Sequence, residues 1–333
     1  MEAPQTPPHR WTRRSLLAAT LLPLSFAGYR VAEHNNLFIT TRGQREFDKG
    51  TEPIRADGQS QFSLLVVGDT GKDTVRRTAV VSAMQSHARM STPDAAFLMG
   101  DNFYEEGVDS IVDPRFDTDF ESLFERQAFD FPFYALLGNH DCVGNPEAQV
   151  EYTGHSSRWR MPARYYKLQQ TAGTKAIDLY AIDTNLLITG EAEAAQQLDW
   201  LTGELSTSAA DWKIVLGHHP VITGGRHRIL PEVSDALAPL LGQYGVDLYV
   251  SGHDHDLQLL DSGSGWMQVI SGAGSKLRST SWIDRTLFAE ATPGFCWLLF
   301  DDASLWVSFY SGEERLFTRQ LQAKVSHSTL APA

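Results

Sequence analysis

"AAFLMGDNFY", residues 95–104, sets how the rest of the chain is read. Ala95 to Met99 run without a polar break, as in a strand buried on both faces. Gly100 permits a sharp exit, and Asp101 offers a carboxylate directly beyond it. A single ending of this kind is usually a turn. Here it recurs. Val67 is followed by Gly68-Asp69-Thr70-Gly71, and Leu137 by Gly138-Asn139-His140-Asp141. Leu216 is followed by Gly217-His218-His219-Pro220, and Ser251 by Gly252-His253-Asp254-His255. Five strand ends carrying a glycine and then an oxygen or nitrogen donor are more than turns require. In open α/β sheets, ligands bind beyond the carboxyl ends of the strands.

Apolar runs alternate with amphipathic ones from residue 61, the pattern of stacked β-α units. Strands are expected at Ser63–Val67, Ala95–Met99, Phe133–Leu137, Ile177–Ile182, Lys213–Leu216 and Asp247–Val250. Between them, Val75, Ala79, Val80, Ala83 and Met84 share one helical face. So do Leu198, Leu201 and Leu205, and then Val233, Leu237, Leu240 and Leu241. The last third holds Met267–Ser271, Gly294–Phe300, Ser304–Tyr310 and Leu316–Leu321, with little helix between them. These read as antiparallel strands, and a second sheet stacked on the first accounts for them.

The 333 residues suffice for one large domain or two modest ones. A formal net charge of -13 argues against nucleic-acid binding and against an anionic membrane surface. An acidic protein still takes an anionic substrate when metal ions neutralise the site locally. Cys142 and Cys296 allow at most one disulfide, and no Cys-x-x-Cys is present. Thr12-Arg13-Arg14-Ser15-Leu16-Leu17 opens a short apolar stretch to Gly28, too short to span a membrane. Residues 1–27 are therefore expected to be an export signal of the bacterial twin-arginine type, placing the protein in the periplasm or outside the cell. Residues 28–60 read as a polar spacer, 61–322 as the domain and 323–333 as a tail.

The donors at the five ends are Asp, Asn and His, with Tyr104 three residues beyond Asp101. There is no thiolate, and oxygen is more abundant than in a structural zinc site. Seven or eight donors exceed what one transition ion needs. Two ions sharing a carboxylate is the natural count, and such pairs serve in-line phosphoryl displacement.

Asp69-x-Gly71, Gly100-Asp101-x-x-Tyr104, Gly138-Asn139-His140-Asp141, Val215-x-x-His218 and Gly252-His253-x-His255 together resemble the five blocks of the purple acid phosphatases. These belong to the calcineurin-like metallophosphoesterases, and the small tartrate-resistant type is the nearest in pattern. The similarity runs over roughly 61 to 322, including Arg158-Trp159 and Ser271-Gly272-Ala273-Gly274. It implies a four-layer α/β/β/α sandwich of two stacked mixed sheets, with a dimetal site at the carboxyl ends of the strands. It also implies ligands. Asp69, Tyr104 and His255 hold the first metal, Asp101 bridges, and Asn139, His218 and His253 hold the second. In this family the tyrosine binds as phenolate. A group with an ordinary pKa near 10 needs a highly charged ion to lose its proton, so the first metal is expected to be Fe(III). Asn139 is neutral, so the second ion stays divalent, as Fe, Zn or Mn. His140 and His227 are expected near the phosphate and the leaving oxygen, where an imidazole donates a proton in mild acid.

Other residues carry smaller expectations. Asp141 orients its neighbours. His219 lies beside the ligands or faces solvent, and His87 and His155 lie on the surface. Cys142 stands where close relatives tend to have histidine, and its thiol near the site is open to oxidation. The segment Thr184–Ala195 is short where mammalian-type enzymes carry a protease-sensitive loop, which speaks against activation by cleavage there. The function implied is a secreted, monomeric phosphatase acting on small phosphate monoesters by in-line attack of a metal-bound hydroxide. The rivals are a phosphodiesterase or nucleotide pyrophosphatase on the same scaffold, and an iron-pair redox or binding protein.

Overall fold

Strand formation follows the apolar runs. In the computed structural model the described residues are 39–45, 48–51 and 60–322. The expected export signal and C-terminal tail lie outside them. A short strand, β1 (Thr41–Arg42), precedes β2 (Phe62–Val67), which is buried along its whole length. β3 (Ala95–Leu98), β4 (Phe133–Ala135) and β5 (Trp159–Arg160) add to one side of β2 in parallel. The chain then builds a second sheet. β6 (Tyr166–Ala172) pairs antiparallel with β7 (Lys175–Ala181). β8 (Trp212–Leu216) and β9 (Leu248–Ser251) follow in parallel. β10 (Leu257–Asp261) and β11 (Met267–Ser271) form a hairpin beside β9. β12 (Thr280–Ser281) pairs with β1, and β13 (Thr286–Glu290) edges the second sheet at β10. β14 (Phe295–Phe300), β15 (Ser304–Ser311) and β16 (Glu314–Gln322) return to the first sheet, β14 pairing antiparallel with β2.

Two seven-stranded mixed sheets result, as the four-layer expectation requires. The C-terminal strands do not form a sheet of their own, however. The all-buried run of β14 pairs with the all-buried run of β2, placing both in the middle of the first sheet. The second sheet is built on β7 to β9 instead. Its alternation is clean. Leu179, Ile214, Leu216, Leu248 and Val250 join the core shared with the first sheet. Their neighbours Tyr180, Val215 and Tyr249 join the cluster under the helices.

Helix α1 (Val75–Ser91) starts at Thr74, whose hydroxyl accepts from the Arg77 N–H at 3.1 Å. Its buried face is Arg77, Val80, Val81, Ala83, Met84, His87 and Ala88. That stripe is rotated from the expected one: Val75 is 85% exposed and Ala79 is exposed too. The guanidinium of Arg77 takes the position near the helix start, paired with Asp119 at 2.7 Å and Asp73 at 2.9 Å. His87 is therefore not a surface residue. It is 7% exposed, with ring centroids 4.6 Å from Tyr310 and 4.8 Å from Trp297. His155 is exposed as expected. After α2 (Pro146–Glu151), the helices α3 (Thr184–Thr189), α4 (Ala192–Thr207) and α5 (Pro231–Gln243) supply the cluster over the second sheet. Residues 184–195 are thus mostly helical. Part of the segment read as a spacer packs on the domain, through β1 and through the Thr318 N–H donating to Lys49 O at 2.9 Å.

Candidate metal centre

The five glycine-containing strand ends converge. The Asp69 N–H donates to Gly100 O at 2.9 Å, the Gly71 N–H to Asp101 O at 3.1 Å, and the Gly252 N–H to His218 O at 3.1 Å. Two glycines are needed by geometry. Gly100 has φ +86°, and a Cβ there would lie 2.6 Å from Gly138 N. A Cβ on Gly138 would lie 2.2 Å from Asp101 Oδ1. Three non-glycine residues of the site also sit in the left-handed region: Asp69 (φ 61°), Asp101 (φ 51°) and His253 (φ 66°). Each such residue costs about 1–3 kcal/mol, a strain that concentrates at functional sites.

Two groups of donors face one another across Asp101. In the first, the Tyr104 hydroxyl lies 2.7 Å from Asp101 Oδ2 and 3.2 Å from Asp69 Oδ1. His255 Nε2 lies 3.3 Å from the same Asp69 oxygen. In the second, His218 Nε2 lies 3.5 Å from Asp101 Oδ1 and 3.3 Å from His253 Nδ1. Two donors each about 2.1 Å from a shared ion stand roughly 3.0–3.4 Å apart, so this nitrogen pair has the span of a coordination edge. Asn139 Oδ1 is buried and has no hydrogen-bond partner among the described residues. A carbonyl oxygen left in that state is what a cation relieves. His218 Nδ1 donates to Met99 O at 2.8 Å, which leaves Nε2 to face the centre. Six of the seven residues carried over by resemblance are thus linked at 3.5 Å or less, and Asn139 directly precedes His140, whose backbone N–H donates to Asp101 Oδ1 at 2.9 Å; the donor set fits two ions sharing Asp101.

The electrostatics fit the same reading. Burial, then Asp69 and Asp101, push the Tyr104 hydroxyl well above its ordinary range, so without a cation it holds its proton against the carboxylates. Burial works against charge on His218, yet Asp101 and Asp69 raise its pKa. Burial also penalises the Asp69 carboxylate, but His255 and His218 hold its pKa down. Burial and the surrounding histidines push His253 well below the usual imidazole range, leaving it neutral and able to donate a lone pair.

The flanking residues divide clearly. Asp141 is fully buried and accepts from the N–H groups of Gly138 (2.8 Å), Asn102 (3.1 Å) and Phe103 (3.2 Å) and from Gln149 Nε2 (2.9 Å). It fixes the two loops that carry Tyr104 and Asn139. His140 Nδ1 contacts the carbonyl of Glu105, and its Nε2 lies 4.0 Å from Asp101 Oδ2. The ring of His227 lies 4.2 Å from that of His253, and the backbone N–H of His227 donates to Asp254 Oδ1 at 2.9 Å. His219 does not face solvent. It is 2% exposed, with Nδ1 at 2.7 Å from Thr184 Oγ1 and its ring 4.4 Å from that of His253. Cys142 and Cys296 are both free thiols. Burial, with Asp183 and Asp141 nearby, raises the Cys142 thiol far above its ordinary range, which opposes the expected ease of oxidation.

One contributor escaped the sequence reading. Lys276 Nζ sits 3.9 Å above the centroid of the Tyr104 ring. The only signal was its place, two residues beyond Ser271-Gly272-Ala273-Gly274.

Comparison with known proteins agrees with this geometry. The family description "Calcineurin-like phosphoesterase" matches residues 62–257. Human tartrate-resistant acid phosphatase type 5 is 34% identical over 249 residues, covering 67% of this chain and 76% of that one. Purple acid phosphatase 7 of Arabidopsis thaliana is 29% identical over 260 residues, covering 72% and 78%. Among solved structures, GAP50, the anchor in the inner membrane complex of Plasmodium, superposes with a TM-score of 0.74. It is 26% identical, with coverage of 81% of this chain and 91% of that one. Converging strand ends, paired donor sets and these similarities lead to one statement: the chain belongs to the calcineurin-like phosphoesterases, within the purple acid phosphatase group.

Proposed function

We propose that the protein is an exported dimetal phosphatase that hydrolyses small phosphate monoesters. The observation that carries this reading is the pair of donor sets meeting at Asp101, with Tyr104 in only one of them. Asp69, Tyr104 and His255 would hold a ferric ion. Asn139, His218 and His253 would hold a divalent Fe, Zn or Mn ion, because their set carries less charge. When bound, the ions supply Lewis acidity toward the phosphoryl oxygens and a nucleophile drawn from water. Asp101 faces both donor sets and would be the ligand shared between the two ions. The bond from His218 Nδ1 to Met99 O fixes the orientation of its ring.

Proton transfer to the leaving oxygen falls to His140 in this reading. Contact of its Nδ1 with the Glu105 carbonyl directs Nε2 into the cleft. His227 has a different part. Burial, Arg278 and His255 lower its pKa to about 4, so in mild acid its neutral ring would meet the phosphate as an N–H hydrogen-bond donor rather than transfer a proton. Export rests on residues 1–27, and a monomeric state is proposed with it. Among the described residues no helix is long and apolar enough to cross a membrane.

The test compares 4-nitrophenyl phosphate with bis(4-nitrophenyl) phosphate on the metal-loaded protein. The monoester should be preferred, with an optimum in mild acid. Preference for the diester would replace the phosphatase with a phosphodiesterase on the same scaffold.

A further inference from the structure

We propose that Arg278, assisted by Lys276, forms an anion subsite on the rim of the metal centre. It selects phosphate esters whose leaving group carries a second negative charge, a phosphate or a carboxylate. The proposal rests on the phosphatase reading and narrows its substrate class.

Residues 275–278 run along the half of the centre built from Asp69, Tyr104 and His255. The Ser275 hydroxyl donates to Asp69 O. Lys276 Nζ lies 3.9 Å above the Tyr104 ring. The Arg278 N–H donates to His255 O at 3.0 Å. The segment is also anchored from outside. The Thr40 N–H donates to Ser279 Oγ at 3.0 Å, and β12 pairs with β1. The Ser281 N–H donates to Gly224 O at 2.9 Å, on the loop that leads to His227. A segment tied at both ends presents its side chains without a large ordering cost.

The two cations on it are not equivalent. Lys276 lies 3.6 Å from Glu105, which Lys72 also reaches at 2.5 Å. Arg278 is half-buried, and no carboxylate among the described residues pairs with it. Its segment is bonded to His255 and to the loop that leads to His227, so it stands on the rim of the centre, within reach of the part of an ester beyond the reacting phosphate. In a protein of net charge -13, a half-buried guanidinium with no carboxylate partner among the described residues, beside a phosphate-handling centre, calls for an anion. Phosphate and carboxylate both match its fork geometry.

The test measures kcat/KM for glycerol 3-phosphate, 3-phosphoglycerate and fructose 1,6-bisphosphate with wild type, Arg278→Gln and Arg278→Lys. Wild type is expected to favour one or both of the doubly anionic esters. In Arg278→Gln the ratio of that ester to glycerol 3-phosphate falls about tenfold or more, the size of a lost bond to a charged group. The loss resides mainly in KM, and Arg278→Lys restores part of it. Whichever ester loses its advantage identifies the anion as carboxylate or phosphate. An equal loss on all three would overturn the subsite, because Arg278 would then serve the reacting phosphate or the fold. Failure of metal-loaded wild type to turn over any of the three would remove the phosphatase reading and this proposal with it.

Discussion

Acid stability should depend on a histidine far from the chemistry. His87 lies in the core under α1, with Nε2 buried and without a hydrogen-bond partner. Burial alone lowers its pKa from 6.5 to about 4. The unfolded chain therefore takes up the proton first as pH falls, and the folded state does so only near pH 4. Stability present above pH 6.5 is lost between about 6.5 and 4. At pH 4.5 the loss comes to about 2–3 kcal/mol, from 1.36 kcal/mol per pKa unit. The perturbation is His87→Leu, which keeps an apolar side chain at that place. Urea unfolding at pH 7.5 and pH 4.5 on both proteins gives a double difference in which metal loss cancels. Wild type should lose about 2–3 kcal/mol more than His87→Leu between the two values. Equal pH dependence, or an NMR titration of His87 near 6.5, would refute the reasoning.

Other outcomes follow from the same structure. Asp101→Ala should remove both metals, since Asp101 faces both donor sets, and wild-type metal content in the purified variant would defeat the assignment. Cys142 should react with a thiol reagent at pH 8 far more slowly in the native protein than in urea, because burial and its acidic neighbours hold the thiol protonated; equal rates would contradict this. Replacing Arg13 and Arg14 with lysine should leave the protein in the cytoplasm with its N-terminus uncleaved, as read by cell fractionation and N-terminal sequencing; unchanged export would reject the twin-arginine route.

Much of the site was legible because five of the seven donors directly follow a glycine at the end of an apolar strand, and local order alone carries that signal. Asp69, Asp101, Asn139, His218 and His253 all fit that description. The sheet assignment of the last third was not legible. Pairing of Phe295–Phe300 with Phe62–Val67 spans more than 200 residues, and both strands are buried on both faces, so no periodicity marks the partner. The face of α1 was misjudged because Val75 and Ala79 are apolar but exposed, while the aliphatic stem and charge of Arg77 are buried by pairing with Asp119. His87 did carry a signal, seven residues beyond Val80 on the apolar stripe. Its buried place follows from that spacing. The left-handed φ of Asp69, Asp101 and His253 had no sequence signal at all, because only the convergence of the loops imposes it.

The measurement closest to the central claim is a visible absorption spectrum of the purified protein, with metal analysis on the same sample, for wild type and Tyr104→Phe. Wild type should hold two metals per chain including iron, and show a broad visible band that Tyr104→Phe loses. A colourless wild type holding only zinc or manganese, or one that binds no metal, would contradict a ferric ion held by Tyr104.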